Sequence, residues 1–174
     1  MRGIAGQFAA VVVLALSLGC EDTPHAPTAD GPPFFTVTTG GVQWLPDQVD
    51  PFLDPAGLVT LRARRNPDDG GSEILNIFLL TSDAFSLASY RLDGDDPGES
   101  AAQFAQWAGP SDSPDLLAWF VTSGTHTGAL RITGANTADS VVSGVFAFEG
   151  EDRLTHEVRQ FRGEFRVRYT TTGL

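Results

Sequence analysis

The chain has 174 residues, the length of one domain with a tether. Its basic residues are 11 arginines and no lysine, set against 22 acids, for a formal charge of −11. That surface repels nucleic-acid phosphates and lacks any basic run to overcome the repulsion, so a nucleic-acid partner is excluded.

In chain order, Met1 and Arg2 precede an apolar run from Phe8 to Leu18, which is followed by Gly19 and by Cys20, the single cysteine. A membrane span needs roughly 20 consecutive apolar residues, and Gln7 on one side with Glu21 and Asp22 on the other close this run short of that. The order of charge, short apolar core, small residue and cysteine is that of an export signal ending in a lipid-attachment site. Leu16 to Cys20, "LSLGC", resembles the lipobox of bacterial lipoproteins, with Ser17 and Leu18 transposed relative to the common pattern. The resemblance implies residues 1–19 as a leader and Cys20 as a diacylglyceryl-modified mature N-terminus, anchored in a membrane by acyl chains. Glu21 in place of aspartate points to the outer membrane; plain secretion is the alternative. Removing 19 of 174 residues leaves 155, and ten arginines against 22 acids make the mature charge −12. With Cys20 acylated no intrachain disulfide exists, and the core alone must hold the fold.

Residues 20–33 carry prolines at 24, 27, 32 and 33 and almost no bulky apolar side chain, which predicts an extended, mobile tether. From Phe34 the period becomes two, the mark of strands with one buried face. Phe34 to Thr38 and Val42 to Leu45 flank Gly40 and Gly41 as a hairpin. "NPDDGG", Asn66 to Gly71, separates a strand at Leu58 to Arg64 from one at Ile74 to Leu80. Ser100 to Trp107 suits a short helix or turn, or an edge strand. Leu116 to Thr122 is almost wholly apolar, as expected of a strand buried on both faces, with Trp119 in the core. Leu130 and Ile132 alternate with Arg131 and Thr133 before the turn residues "GANTADS". Val142, Gly144, Phe146 and Phe148 share one face of the next strand; Phe161, Gly163, Phe165, Val167 and Tyr169 share one face of the last. The expected fold is all-β, with residues 34–174 forming a single antiparallel sandwich or partly open barrel of about 8–10 short strands and at most one short helix.

The segments "FFTVTTGGVQW", "GALRITGANTADSVVSGVFAFEGED" and "VRQFRGEFRVRY" resemble an uncharacterised family of small bacterial envelope lipoproteins. Its strands carry the forms F-x-A-x-x-x-G-x-x-W, G-x-I-x-I-T, G-x-F-x-F and G-x-F. Here Phe35, Gly41 and Trp44 stand in the first, Gly128, Leu130, Ile132 and Thr133 in the second, Gly144, Phe146 and Phe148 in the third, and Gly163 and Phe165 in the fourth. Val37 and Leu130 depart from the pattern. The resemblance implies an all-β lipoprotein and assigns no catalytic or ligand residue. Gly144 and Gly163, on apolar faces, are expected to make room for Phe146, Phe165 or Trp44.

Candidate chemistry is sparse. Histidines 25, 126 and 156 show no metal-ligand spacing. No nucleophile elbow, phosphate loop or other cofactor motif is present, and no enzymatic activity or cofactor is expected. A hydrolase would need a pocket joining His126 or His156 to acids from other strands. "SGTHTG", Ser123 to Gly128, is expected to be a solvated loop. Asp93, Asp95, Asp96 and Glu99 are the calcium candidates, although Pro97 stands where a calcium loop needs a ligand. Of the three tryptophans, Trp107 in "AQWAGPSDS" is the candidate for an exposed ring that stacks on a sugar. The expected role is a non-catalytic binding or structural accessory of the envelope, partnered by a glycan or an envelope protein.

Overall fold

A computed structural model describes residues 26–53, 57–68, 70–81, 86–95, 98–109 and 114–171. Cys20 and His25 lie outside the described residues, as does Asp96. Twelve strands and no helix are present among them. They are β1 (Phe34–Thr39), β2 (Val42–Trp44), β3 (Gln48–Leu53), β4 (Leu58–Arg65), β5 (Ser72–Leu80) and β6 (Ser89–Leu92). The second half holds β7 (Ala101–Ala108), β8 (Asp115–Val121), β9 (Gly128–Asn136), β10 (Val141–Asp152), β11 (Val158–Arg168) and β12 (Thr170–Thr171). The number exceeds the expected range because β2, β6 and β12 span four residues or fewer.

All strands belong to one sheet, ordered β12-β3-β4-β5-β7-β8-β10-β11-β1-β2, with β9 on β10 and β6 on β9. Every pairing is antiparallel except β12 on β3. The sheet branches at β10. Its residues 141–148 pair with β9, whereas Glu151 and Asp152 pair with Val121 and Phe120 of β8. Only Tyr169 separates β11 from β12, so a single extended run lies beside β10 in its first part and beside β3 in its last. The sheet thereby curls around one core as a sandwich or partly open barrel.

The alternation seen in sequence explains that core. Val59, Leu61 and Ala63 of β4, Leu75, Ile77 and Leu79 of β5, and Phe104 of β7 point inward, opposite Phe146 and Phe148 of β10 and Phe161 and Phe165 of β11. Phe161 is its centre, with ring centroids 4.7 Å from Phe148, 5.1 Å from Phe104 and 5.7 Å from Phe120. Gly163 and Gly144 leave space for rings as expected. A Cβ at Gly144 would stand 2.8 Å from the Phe165 Cζ, and one at Gly163 would overlap the Phe146 ring tip and the Thr36 carbonyl.

Three expectations are corrected. Ala101–Ala108 is neither helix nor edge but an interior strand between β5 and β8: Ala102 and Phe104 face the core, and Gln103 lies on the opposite face. β8 is not buried on both faces: Ala118 and Phe120 are buried, while Leu117 before them and Trp119 between them are exposed. The tether is not free over its whole length, because Ala26 to Pro33 packs on the domain. Pro27 is buried, and its carbonyl accepts the hydroxyls of Thr133 and Ser143.

Candidate functional site

The outward face of β5, β7 and β8 is the part of the surface where the strand pattern breaks the rule of polar residues outside. Register places Ile74 opposite Ala105 and Ala105 opposite Trp119; Ser72 faces Trp107, which faces Leu116. A bulge between Gln106 and Trp107 inserts an extra residue of β8 between these rows. Trp107 and Trp119 are therefore diagonal neighbours on one face, a placement that leaves side chains roughly 7–8 Å apart. Trp119 is 38% exposed and Leu117 58%. Trp107 is half-buried and lines a shallow groove of about 370 Å³ with Arg64, Asn66, Ser72 and Ile74. Arg64 Nε is buried without a hydrogen-bond partner among the described residues, a donor of the kind that a ligand or water normally satisfies.

Trp119 is held rigidly by the hairpin between β10 and β11. Asp152, almost wholly buried, accepts the Trp119 backbone N–H at 2.8 Å, and Arg153 N donates back to Trp119 O at 2.9 Å. The same carboxylate accepts Thr155 Oγ1 at 2.6 Å and Leu154 N at 3.3 Å. Burial pushes its pKa up, but the hydrogen bonds from Thr155, Trp119 and Leu154 together outweigh it and hold the Asp152 pKa below its ordinary value. Sequence reading missed this residue; a carboxylate three before a threonine in a tight charged turn is its only local signal.

Beside this face lies a histidine–carboxylate cluster. His126, in the loop after β8, sets Nδ1 3.9 Å from Glu149 Oε2 and Nε2 3.7 Å from Glu151 Oε2, and its Nδ1 is buried without a hydrogen-bond partner. His156 Nδ1 lies 2.7 Å from Glu151 Oε1. That hydrogen bond is the main reason Glu151 is held below its usual range, with the positive charges of His156, His126 and Arg153 adding to it. The two histidines, far apart in sequence, thus meet on acids of β10. Ser123 Oγ does not complete a nucleophile pair: it accepts the backbone N–H of His126 at 3.2 Å, which is turn geometry. No group of three or more His, Cys, Asp or Glu among the described residues is arranged to hold a metal ion.

Of the calcium candidates, Asp93 pairs with Arg91 at 3.0 Å and Asp95 with Arg153 at 2.8 Å, so two of the acids are turned to different arginines. Glu99 is exposed one residue before Ser100, whose carbonyl receives the Asp93 and Gly94 N–H groups. Trp44 is buried and structural. Its indole donates to Glu73 Oε2 at 2.5 Å, and Glu73 also accepts Gln106 Nε2 at 2.7 Å and pairs with Arg65 at 2.7 Å. Comparison with family models, curated proteins and solved structures gives no match for this chain.

Proposed function

We propose that the chain is an envelope lipoprotein, anchored through acyl chains on Cys20, whose β domain is a non-catalytic glycan-binding module. The observation that carries the binding role is the pair Trp107 and Trp119, set diagonally on one rigid sheet face. Sugar rings present apolar C–H faces that stack on indoles, and hydroxyls around their edge that need donors and acceptors. Arg64, Asn66 and Ser72 supply donors and acceptors at one rim of the face. Glu151, paired with Val121 two residues beyond Trp119, supplies acceptors at the other. The strand motifs that resemble the envelope lipoproteins support the anchored reading, and Glu21 after Cys20 supports the outer membrane over the inner.

Two measurements test this. Titration with soluble cello-, xylo-, chito- and manno-oligosaccharides is expected to quench tryptophan fluorescence, with Trp107→Ala and Trp119→Ala each weakening binding about tenfold, or 1.4 kcal/mol. Trp44→Phe changes binding little, because that ring faces the core. No quenching by any oligosaccharide overturns the glycan reading. Radiolabelled palmitate is expected to enter the wild-type chain and not Cys20→Ser; a wild-type chain without label is a secreted protein instead.

A further inference from the structure

Ala26 to Pro33 lies as a strap over the outward face of β9, β10 and β11. Thr133 and Ser143 hold the Pro27 carbonyl. Arg166 donates from Nε to Thr28 O at 2.6 Å and from Nη1 to Pro32 O at 3.1 Å, while its guanidinium stacks 5.2 Å above the Phe34 ring. Gly134 is needed for the close approach, since a Cβ there would stand 2.5 Å from Ala29 N. Ser143 is an outward serine buried by this strap, which is why a polar residue is tolerated at a fully covered position.

We infer that the docked strap fixes how the domain stands on a lipid bilayer: the end bearing Ala26 and Leu87 faces the membrane, and the Trp107–Trp119 face is carried away from it. This rests on the acylated Cys20 proposed above. Six peptide steps separate Cys20 from Ala26, and at about 3.5 Å per residue they reach roughly 20 Å at most. Were the strap loose, its eight residues would extend that reach by nearly 30 Å and leave the orientation unset. Ala26 lines a cavity of about 390 Å³ with Leu87, Ala88, Ser89, Arg131 and Thr133. Leu87, 70% exposed, sets an apolar side chain at this end. The aromatic face lies toward the opposite end of β10. Ser143 holds the strap and Asp152, nine residues along the same strand, holds Trp119; nine residues of strand span about 30 Å.

The test uses the full acylated protein in phosphatidylethanolamine–phosphatidylglycerol vesicles carrying a headgroup energy-transfer acceptor. A donor dye is placed on Leu87→Cys or on Leu154→Cys, the latter in the exposed turn after Asp152. Transfer from position 87 is expected to exceed that from position 154 at least twofold. Arg166→Ala, which removes both hydrogen bonds to the strap and the stacking over Phe34, is expected to reduce the difference, and Thr133→Val with Ser143→Ala and Arg166→Ala to abolish it. Equal transfer from the two positions in membrane-bound wild type overturns the orientation while leaving the anchor intact. An unchanged difference in the triple variant overturns the role of the strap. Failure to bind vesicles at all sinks the anchor and this inference together.

Discussion

Gly163→Ala tests whether the backbone of β1 is packed as closely on β11 as the structure places it. Gly163 pairs with Val37, and a methyl group there would overlap both the Phe146 ring tip and the Thr36 carbonyl. The ring can rotate aside, but Phe146 is hemmed in by Phe35 at 5.8 Å and Phe148 at 6.3 Å. The carbonyl belongs to a strand also tied to β2, and moving it weakens two ladders. Overpacking of this kind costs about 1–3 kcal/mol, and the backbone contact puts the expected loss at about 2–3. For a domain of this size that lowers Tm by roughly 5–15 °C. Urea unfolding followed by tryptophan fluorescence, with unchanged m, measures it. Phe146→Leu in the Gly163→Ala background is expected to recover only part of the loss, because it frees the ring side and leaves the Thr36 carbonyl where it was. A loss below about 0.5 kcal/mol, or complete recovery by Phe146→Leu, refutes the reasoning.

Two further predictions follow from the buried carboxylates. Asp152→Asn is expected to destabilise the domain at neutral pH by about 1–3 kcal/mol, since a charged acceptor of several hydrogen bonds becomes a neutral one that clashes with a donor. The folded pKa of Asp152 lies below its unfolded value, so its contribution is full above the unfolded value of 3.8 and is lost as pH falls through the folded one. The gap between wild type and Asp152→Asn in thermal unfolding therefore narrows on acidification below pH 4; a gap independent of pH refutes it. Glu73→Ala is expected to cost about 3 kcal/mol or more, because it orphans the Trp44 indole, Gln106 and Arg65 together. Glu73→Gln, which keeps the shape and one acceptor, costs less; equal costs refute the account.

The all-β architecture was legible because a period of two survives in β5, β9, β10 and β11. Val142 to Phe148 and Phe161 to Tyr169 declared their inward faces, and Gly144 and Gly163 stood among rings for a stated steric reason. The error at β8 has a local cause. Leu116 to Val121 is apolar on both faces, and composition cannot tell a strand buried twice from one that shows apolar side chains to solvent; only the pairing partners decide. Ala118 and Phe120 meet Gln106 and Phe104 on the inside, while Trp119 looks out over Ala105.

The His126–Glu149–Glu151–His156 meeting and the strap were hidden for a different reason, long sequence separation. Pro27 lies 106 residues before Thr133 and 116 before Ser143, and no local pattern encodes contacts of that range. Ser143 nonetheless held a clue. Among the outward residues of β10 it is a polar one with no solvent, a state that is stable only when its hydroxyl finds an acceptor. The acceptor is a proline carbonyl, and Pro27 itself has no N–H to leave unsatisfied beneath the strap. The proline-rich composition that looks like a mobile spacer in isolation is thus equally suited to docking: it is extended in advance, loses little entropy on binding, and brings carbonyls without matching donors to a surface that offers Thr133, Ser143 and Arg166.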